Sequence, residues 1–311
     1  MVRCWIVGPD EAGARLDHHL AARLRGSHAA ARRLLDEGAV RVDGRLGRKG
    51  VRVQAGQRLD LTAELPTAEA LRPPADPTLP LSVLYVDELV VAVAKPAGRP
   101  SHPLRPQEAG TVASALVARF PECAAIGDDP RESGLVHRLD IDTSGVLLAA
   151  RTAPAWSALR RSFSDGSVVK EYLALVAGTV FGEGTIAAPI AHHPRDRRRM
   201  IVAAGGAPAT TTYRSITAGH GMTLLAVTMT SGRMHQVRVH LAHRGHPLVG
   251  DPLYGGPPPL DDAGGHFLHA WRVDAPHPAA GRLRVEAPLP AERAAALARL
   301  GLTPGPRDPS R

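Results

Sequence analysis

From Gly134 to Gly145 the chain reads Gly-Leu-Val-His-Arg-Leu-Asp-Ile-Asp-Thr-Ser-Gly, its densest polar cluster, and passes without a break into the apolar run Val146-Leu147-Leu148-Ala149-Ala150. The apolar run reads as a buried strand, and polar residues just before such a strand sit on a rigid support suited to function. The plainer alternative is a turn in which Asp142 and Thr143 bond local backbone. Further strand candidates lie at 83–86, 90–94, 168–177, 223–230 and 283–287, with helical stretches near 111–120, 154–163 and 233–243. Strands and helices do not alternate strictly. The expected class is therefore α+β, a mixed and largely antiparallel sheet with flanking helices, rather than a doubly wound fold.

Residues 1–65 read as a separate small module. Leu16, Leu20 and Leu24 lie four apart on one stripe of a helix that stops at Gly26. Ser27 is a candidate N-cap for a second helix over 29–37, which Gly38 ends. Val40-Arg41-Val42 then runs into Asp43-Gly44, a dipeptide favoured in tight hairpin turns. Prolines 66, 73, 74, 77 and 80 mark residues 66–80 as a semi-rigid linker. A second domain over 81–290 follows, and 291–311 reads as a partly disordered C-terminal tail.

Lys+Arg total 38 against 30 Asp+Glu, a formal net charge of +8. Such a balance suits a polyanionic partner, since each phosphate contact releases condensed counterions. Arginine-rich coding bias is the bland alternative, because Lys49, Lys95 and Lys170 are the chain's only lysines. The arginine-rich stretch His192-His193-Pro194-Arg195-Asp196-Arg197-Arg198-Arg199 reads as an exposed loop that contacts RNA. At 4% aromatics a stacking platform for single strands is disfavoured. No apolar run reaches the roughly 18–20 residues of a membrane span, and the N-terminus has no secretory pattern. With only Cys4 and Cys123, disulfide scaffolds and thiolate zinc clusters are excluded. A cytoplasmic monomer is expected.

Several chemistries fail on the residues. Asp142-Thr143-Ser144-Gly145 lacks the spacing of an aspartic-protease triplet. Asp140 and Asp142, about 6.6 Å apart on a strand, give no opposed pair for a glycosidase. His235, His240, His243, His266 and His269 have no Cys or carboxylate partners to close a zinc shell. No phosphate-cradling Gly-rich loop precedes a helix. What remains is an aspartate beside an arginine, a pairing that keeps a carboxylate ionised for work as nucleophile or base.

His137-Arg138-Leu139-Asp140 followed by Asp142-Thr143-Ser144-Gly145 resembles the signature of RluA-family pseudouridine synthases. Three further blocks match in order: Leu84 through Lys95-Pro96-Ala97-Gly98 to His102-Pro103; Lys170-Glu171-Tyr172 to Gly178; and Ser231-Gly232-Arg233-Met234-His235-Gln236-Val237-Arg238-Val239-His240 through Gly250-Asp251 to Tyr254-Gly255. The N-terminal module is similar to the αL RNA-binding motif through Arg15-Leu16-Asp17, Leu34-Leu35 and Gly38 to Gly44. The resemblance implies the pseudouridine synthase fold and isomerisation of uridine in structured RNA, ribosomal RNA first, with no cofactor and no metal. It makes Asp140 the essential aspartate, Tyr172 the tyrosine packed on the target base, and Arg233 the arginine paired with Asp140. Arg138 would fill the space of the flipped nucleotide. His137, Thr143, Lys95, Lys170, His235 and Arg238 would contact substrate or RNA, with Arg32, Arg33 and Arg41 doing so from the N-terminal module. Ile141, Met234, Ala94 and Ala207 depart from the family pattern and bear on RNA affinity or target choice. Rival readings are a catalytically silent RNA-binding or ribosome-assembly protein, the same chemistry on transfer RNA, and a hydrolase using Asp140.

Overall fold

In a computed structural model, residues 3–24, 28–63, 68–260 and 264–302 are described. The chain divides into two compact units, Met1–Thr67 and Ala68–Arg311.

The first unit is built from β1 (Arg3–Ile6), α1 (Leu16–Arg23), α2 (His28–Asp36), β2 (Val40–Val42), β3 (Arg45–Leu46) and β4 (Arg58–Leu61). Its antiparallel sheet runs β1-β4-β2-β3. The four-residue spacing predicted for α1 buries Leu16 and Leu20 completely against Leu34, Leu35, Val40, Leu59 and Leu61, while Leu24 is only partly buried. Asp43 and Gly44 both take positive φ, +49° and +78°, as a two-residue hairpin turn with the strands' own twist requires. The stretch at 51–53 is no strand but makes one isolated bridge, Arg15 to Arg52. Ser27 and Gly26 lie outside the described residues, as does the side chain of Arg33.

The second unit begins with α3 (Ala68–Leu71) and continues through β5 (Ser82–Val86), β6 (Val90–Lys95), α4 (Val112–Arg119), β7 (Ser144–Ala150), α5 (Ala153–Ser164), β8 (Val169–Ala177), β9 (Glu183–Ala187), β10 (Ile190–His192), β11 (Met200–Val202), β12 (Thr210–Gly219), β13 (Met222–Met229), α6 (Gln236–His243), β14 (Leu268–Pro276), β15 (Arg282–Glu286) and α7 (Ala291–Arg299). Nine strands form one sheet ordered β5-β6-β7-β14-β8-β13-β12-β9, with β15 added on β14. Every pairing is antiparallel except β14 with β7, so the sheet is mixed and largely antiparallel, as expected. β10 and β11 form a separate hairpin, and the arginine-rich turn at 193–199 joins them.

β7 lies in the middle of the sheet with every residue buried, which explains its unbroken apolar run. At its start Gly145 has φ +122°, and a Cβ there would sit 2.1 Å from the backbone oxygen of Ala270. Only glycine lets β14 approach so closely that the polar cluster is pinned to the sheet centre. Among the described residues no helix is long and apolar enough to cross a membrane.

Two stretches are drawn more closely by the structure. The stretch expected as a semi-rigid linker over 66–80 is bonded to the second unit from residue 68 onward: Asp76 N–H donates to Ser114 O, and Arg99 donates to Pro80 O. Prolines here end elements without detaching the chain. Within the stretch expected as a partly disordered tail, residues 291–302 fold: α7 packs Leu297, and the turn after it Leu302, into a cluster with Leu175, Leu224 and Phe267. Residues 303–311 lie outside the described residues.

Candidate active site

Asp140 sits on the loop that leads into β7, at one side of a cavity of about 670 Å³ that Arg138, Tyr172, Lys170, Arg233, His235 and Arg238 also line. The loop is bonded from several directions. Ser101 Oγ accepts from Leu139 N–H and donates to Leu139 O. Lys95 Nζ donates to the carbonyls of Pro96, Ile141 and Thr143. Thr143 Oγ1 lies 2.8 Å from His266 Nε2, and Arg293 reaches in from α7 to donate to Asp142 O. A carboxylate held this way needs little reorganisation to react.

Oδ2 of Asp140 accepts from Arg238 Nη1 at 3.0 Å. Arg238 in turn donates through Nε and Nη2 to both oxygens of Asp251, at 2.8 and 2.9 Å, and Asp251 is fully buried. Burial pushes the guanidinium down, but its bonds to Asp251 and its proximity to Asp140 more than offset this, so it stays charged. Burial acts upward on Asp140, while attraction to the His235 ring, once that is protonated at low pH, and to the Arg238 guanidinium outweighs it and holds the carboxyl below its ordinary value. At neutral pH the carboxylate is ionised. No described residue donates a hydrogen bond to Oδ1, and Asp140 lines the cavity.

The arginine paired with Asp140 is thus Arg238, correcting the expectation for Arg233. Arg233 is exposed at the cavity rim, donating from Nε to Pro208 O. The helix predicted over 233–243 starts later, at Gln236, because His235 takes φ +54° and breaks helical continuity. Gln236 Oε1 accepts from both Arg233 N–H and Ser231 Oγ, folding the preceding residues into a turn. The later start carries Arg238 inward and leaves Arg233 outside. Met234 is half-buried, while Val237 and Leu241 fill the core.

Tyr172 alternates with Lys170 on β8, both buried toward the cavity, as the period of two predicts. Burial and the nearby Asp140 push the Tyr172 phenol up, so it is neutral at any ordinary pH. Lys170 Nζ donates to Ser231 O and lies over the Phe163 ring, its pKa lowered to about 8 by burial.

The remaining substrate-contact candidates divide. Arg138 is exposed at the cavity and free to meet a ligand. Lys95, only 2% exposed, is a loop anchor instead of an RNA contact; its buried ammonium satisfies three carbonyls, and burial lowers it to about 7. Thr143 is spent on His266. His137 lines the cavity, but its Nε2 accepts from Leu148 N–H and its ring stacks on Phe163, with burial lowering it to about 3. In the first unit Arg32 and Arg15 both bond the buried Asp17, whereas Arg41 is exposed. The histidines that invited a metal reading are structural connectors: His240 bonds Thr211 and Ala188 O, and His269 bonds Ser144 and Ala287 O.

Sequence reasoning missed Arg293 altogether. This 1% exposed side chain donates to Leu268 O, His266 O, Asp142 O and Ser144 Oγ. Arg293→Met keeps the volume and strands several buried acceptors, each costing about 1–3 kcal/mol. We expect about 3 kcal/mol or more of lost stability in urea unfolding, with activity recovered at low temperature where the fold persists.

The family model described as RNA pseudouridylate synthase matches residues 89–243, which hold Asp140, Tyr172 and Arg238. The chain is 37% identical over 307 residues to the ribosomal large subunit pseudouridine synthase D of Nitrosomonas europaea, covering 93% of this chain and 85% of that one. It is 41% identical to an uncharacterized RNA pseudouridine synthase of Chloroflexus aurantiacus, covering 93% and 91%. Among solved structures, human RNA pseudouridylate synthase domain containing 1 aligns with TM-score 0.55 at 25% identity, over 73% of this chain and 87% of that one. Fold, cavity and relatives agree: this chain belongs to the RNA pseudouridine synthase family, the isomerases that convert uridine to pseudouridine in RNA.

Proposed function

We propose that the substrate is ribosomal RNA and that Asp140 is the catalytic group. The observation that carries the reading is the ionised Asp140, tethered by Oδ2 to the buried Arg238–Asp251 pair and lining, with its Oδ1 unbonded among the described residues, a cavity walled by Tyr172. Whether Oδ1 attacks the anomeric carbon or removes a ribose proton, the step needs a charged, oriented carboxylate sheltered from bulk water. Arg238 keeps the charge, and Tyr172 offers an aromatic, neutral surface on which a detached base can turn before it rejoins through carbon. Arg138 stands at the mouth, suited to occupy the gap in the RNA stack once the nucleotide is flipped out.

RNA recognition draws on exposed arginines. Arg195, Arg197 and Arg198 project from the β10–β11 turn, and Arg41, Arg45 and Arg48 from the first unit. Their phosphate contacts make binding salt-dependent. The ribosomal target follows the naming of relatives that span most of this chain.

The test is incubation with unmodified large-subunit ribosomal RNA, followed by carbodiimide mapping of modified uridines. Discrete new pseudouridines in this RNA and none in transfer RNA are expected; the reverse pattern overturns the ribosomal assignment. The single-turnover rate should show no loss as pH falls from about 8 to about 5, since Asp140 takes a proton only below the ordinary carboxylate range and Lys95 and Lys170 only gain charge over that window. A fall centred near neutrality would contradict Asp140 as the ionising group.

A further inference from the structure

His235 is a non-glycine residue at φ +54°, the left-handed region that L residues seldom occupy, and its side chain does not cap the helix it begins. Such conformations cost of order 1–3 kcal/mol and persist where surrounding contacts hold them. Here Tyr254 supplies the contact. Its Oη lies 2.9 Å from His235 Nδ1, and the two rings meet edge to face with centroids 5.8 Å apart. The same oxygen accepts from Met200 N–H at 2.8 Å.

This arrangement favours one tautomer, in which the phenol donates to the ring. The described residues offer the phenol hydrogen no acceptor except His235 Nδ1. Nδ1 is then the unprotonated nitrogen, and the ring proton sits on Nε2. Nε2 lies 3.9 Å from Asp140 Oδ2, too far for a direct hydrogen bond. A hydroxyl oxygen about 2.8 Å from each atom closes that gap at an angle of roughly 90°.

We propose that His235, fixed by Tyr254 as the neutral Nε2–H tautomer, donates to the 2′-hydroxyl of the target ribose, which donates in turn to Oδ2 of Asp140. The proposal rests on Asp140 as the catalytic group. It keeps Oδ1 free for the reacting carbon or proton and makes Tyr254 a positioning residue. Tyr254 also ties the seating of β11, and with it the arginine-rich turn, to the histidine beside the aspartate. Burial lowers the pKa of His235; Asp140 and Asp251 oppose this, and Arg238 and Arg138 reinforce it. The ring is neutral at pH 7.

Nitrogen-15 NMR of histidine-labelled full-length protein, with the His235 signal assigned by its loss in His235→Phe, reads the tautomer without RNA. The Nε2–H form is expected in the parent and a mixture in Tyr254→Phe. An Nδ1–H form or an imidazolium in the parent at pH 7 overturns the proposal. The second arm uses an RNA carrying the mapped uridine, with ribose or 2′-deoxyribose at that nucleotide. The deoxy substrate should slow parental single turnover about tenfold, His235→Phe should do the same on the ribose substrate with little change in half-saturation, and the two losses should not multiply. His235→Gln, whose amide reaches the Nε2 position, should recover part of the rate. Multiplying losses, or no rescue, refute the hydroxyl contact. An active Asp140→Asn would remove the underlying reading instead, so the two failures are distinguishable.

Discussion

Asp140→Asn is expected to bind RNA as tightly as the parent while its single-turnover isomerisation falls by on the order of 10⁴-fold or below detection. The amide keeps the size of the carboxylate and leaves an oxygen to accept from Arg238, so the loop and its anchors at Ser101, Lys95 and Thr143 stay in place. The charge and the nucleophilic oxygen are what it removes. Because Arg238 remains doubly bonded to Asp251, no buried cation is left uncompensated, and the stability change should stay within about 1 kcal/mol. Filter binding, denaturant unfolding and carbodiimide mapping on one preparation separate these quantities. Turnover at the parental rate would remove Asp140 from the chemistry.

The second large effect contrasts two arginines five positions apart. Arg238→Met leaves the fully buried Asp251 without its partner, a loss of roughly 3–5 kcal/mol. It also removes a cation that holds Asp140 ionised. The carboxyl pKa therefore rises, and the acid limb of the rate profile should move to higher pH. Arg233→Met breaks only a rim contact to Pro208 O and should leave stability within about 0.5 kcal/mol. Its turnover should fall by less than about tenfold, mostly through RNA affinity. Arg238→Lys preserves charge but loses the two-pronged geometry on Asp251, and should stand between the two in stability. If Arg233→Met proved the more damaging in both stability and pH profile, the pairing described here would be wrong.

The contrast between these arginines shows where sequence reasoning reached its limit. Both lie within one matched block, and neighbouring residues do not tell which guanidinium turns inward. That depended on a left-handed backbone at His235 and on Asp251, thirteen residues beyond Arg238, arriving from another loop. Lys95 was misread for a related reason: a lone lysine in an arginine-rich chain signals a special site without saying whether its partners are phosphates or carbonyls. β12 and β14 escaped notice because their polar side chains, such as Thr211 and His269, are buried by long-range partners that no local pattern reveals. The same holds for α7, whose Arg293 looks solvent-facing in sequence and is buried in the fold.

What the sequence determined alone was local. Apolar runs and alternation placed β5, β6, β7, β8, β13 and β15, four-residue spacing placed α1, and Asp43-Gly44 placed a hairpin, because each depends on neighbours within a few residues. The run from His137 to Gly145 likewise marked the loop that carries Asp140 to the cavity. Tertiary structure decided which cation meets Asp140, which polar groups are anchors, and which side chains face the cavity. Those outcomes require charges and carbonyls far apart in the chain to satisfy one another away from water, and only the folded chain brings them within bonding distance.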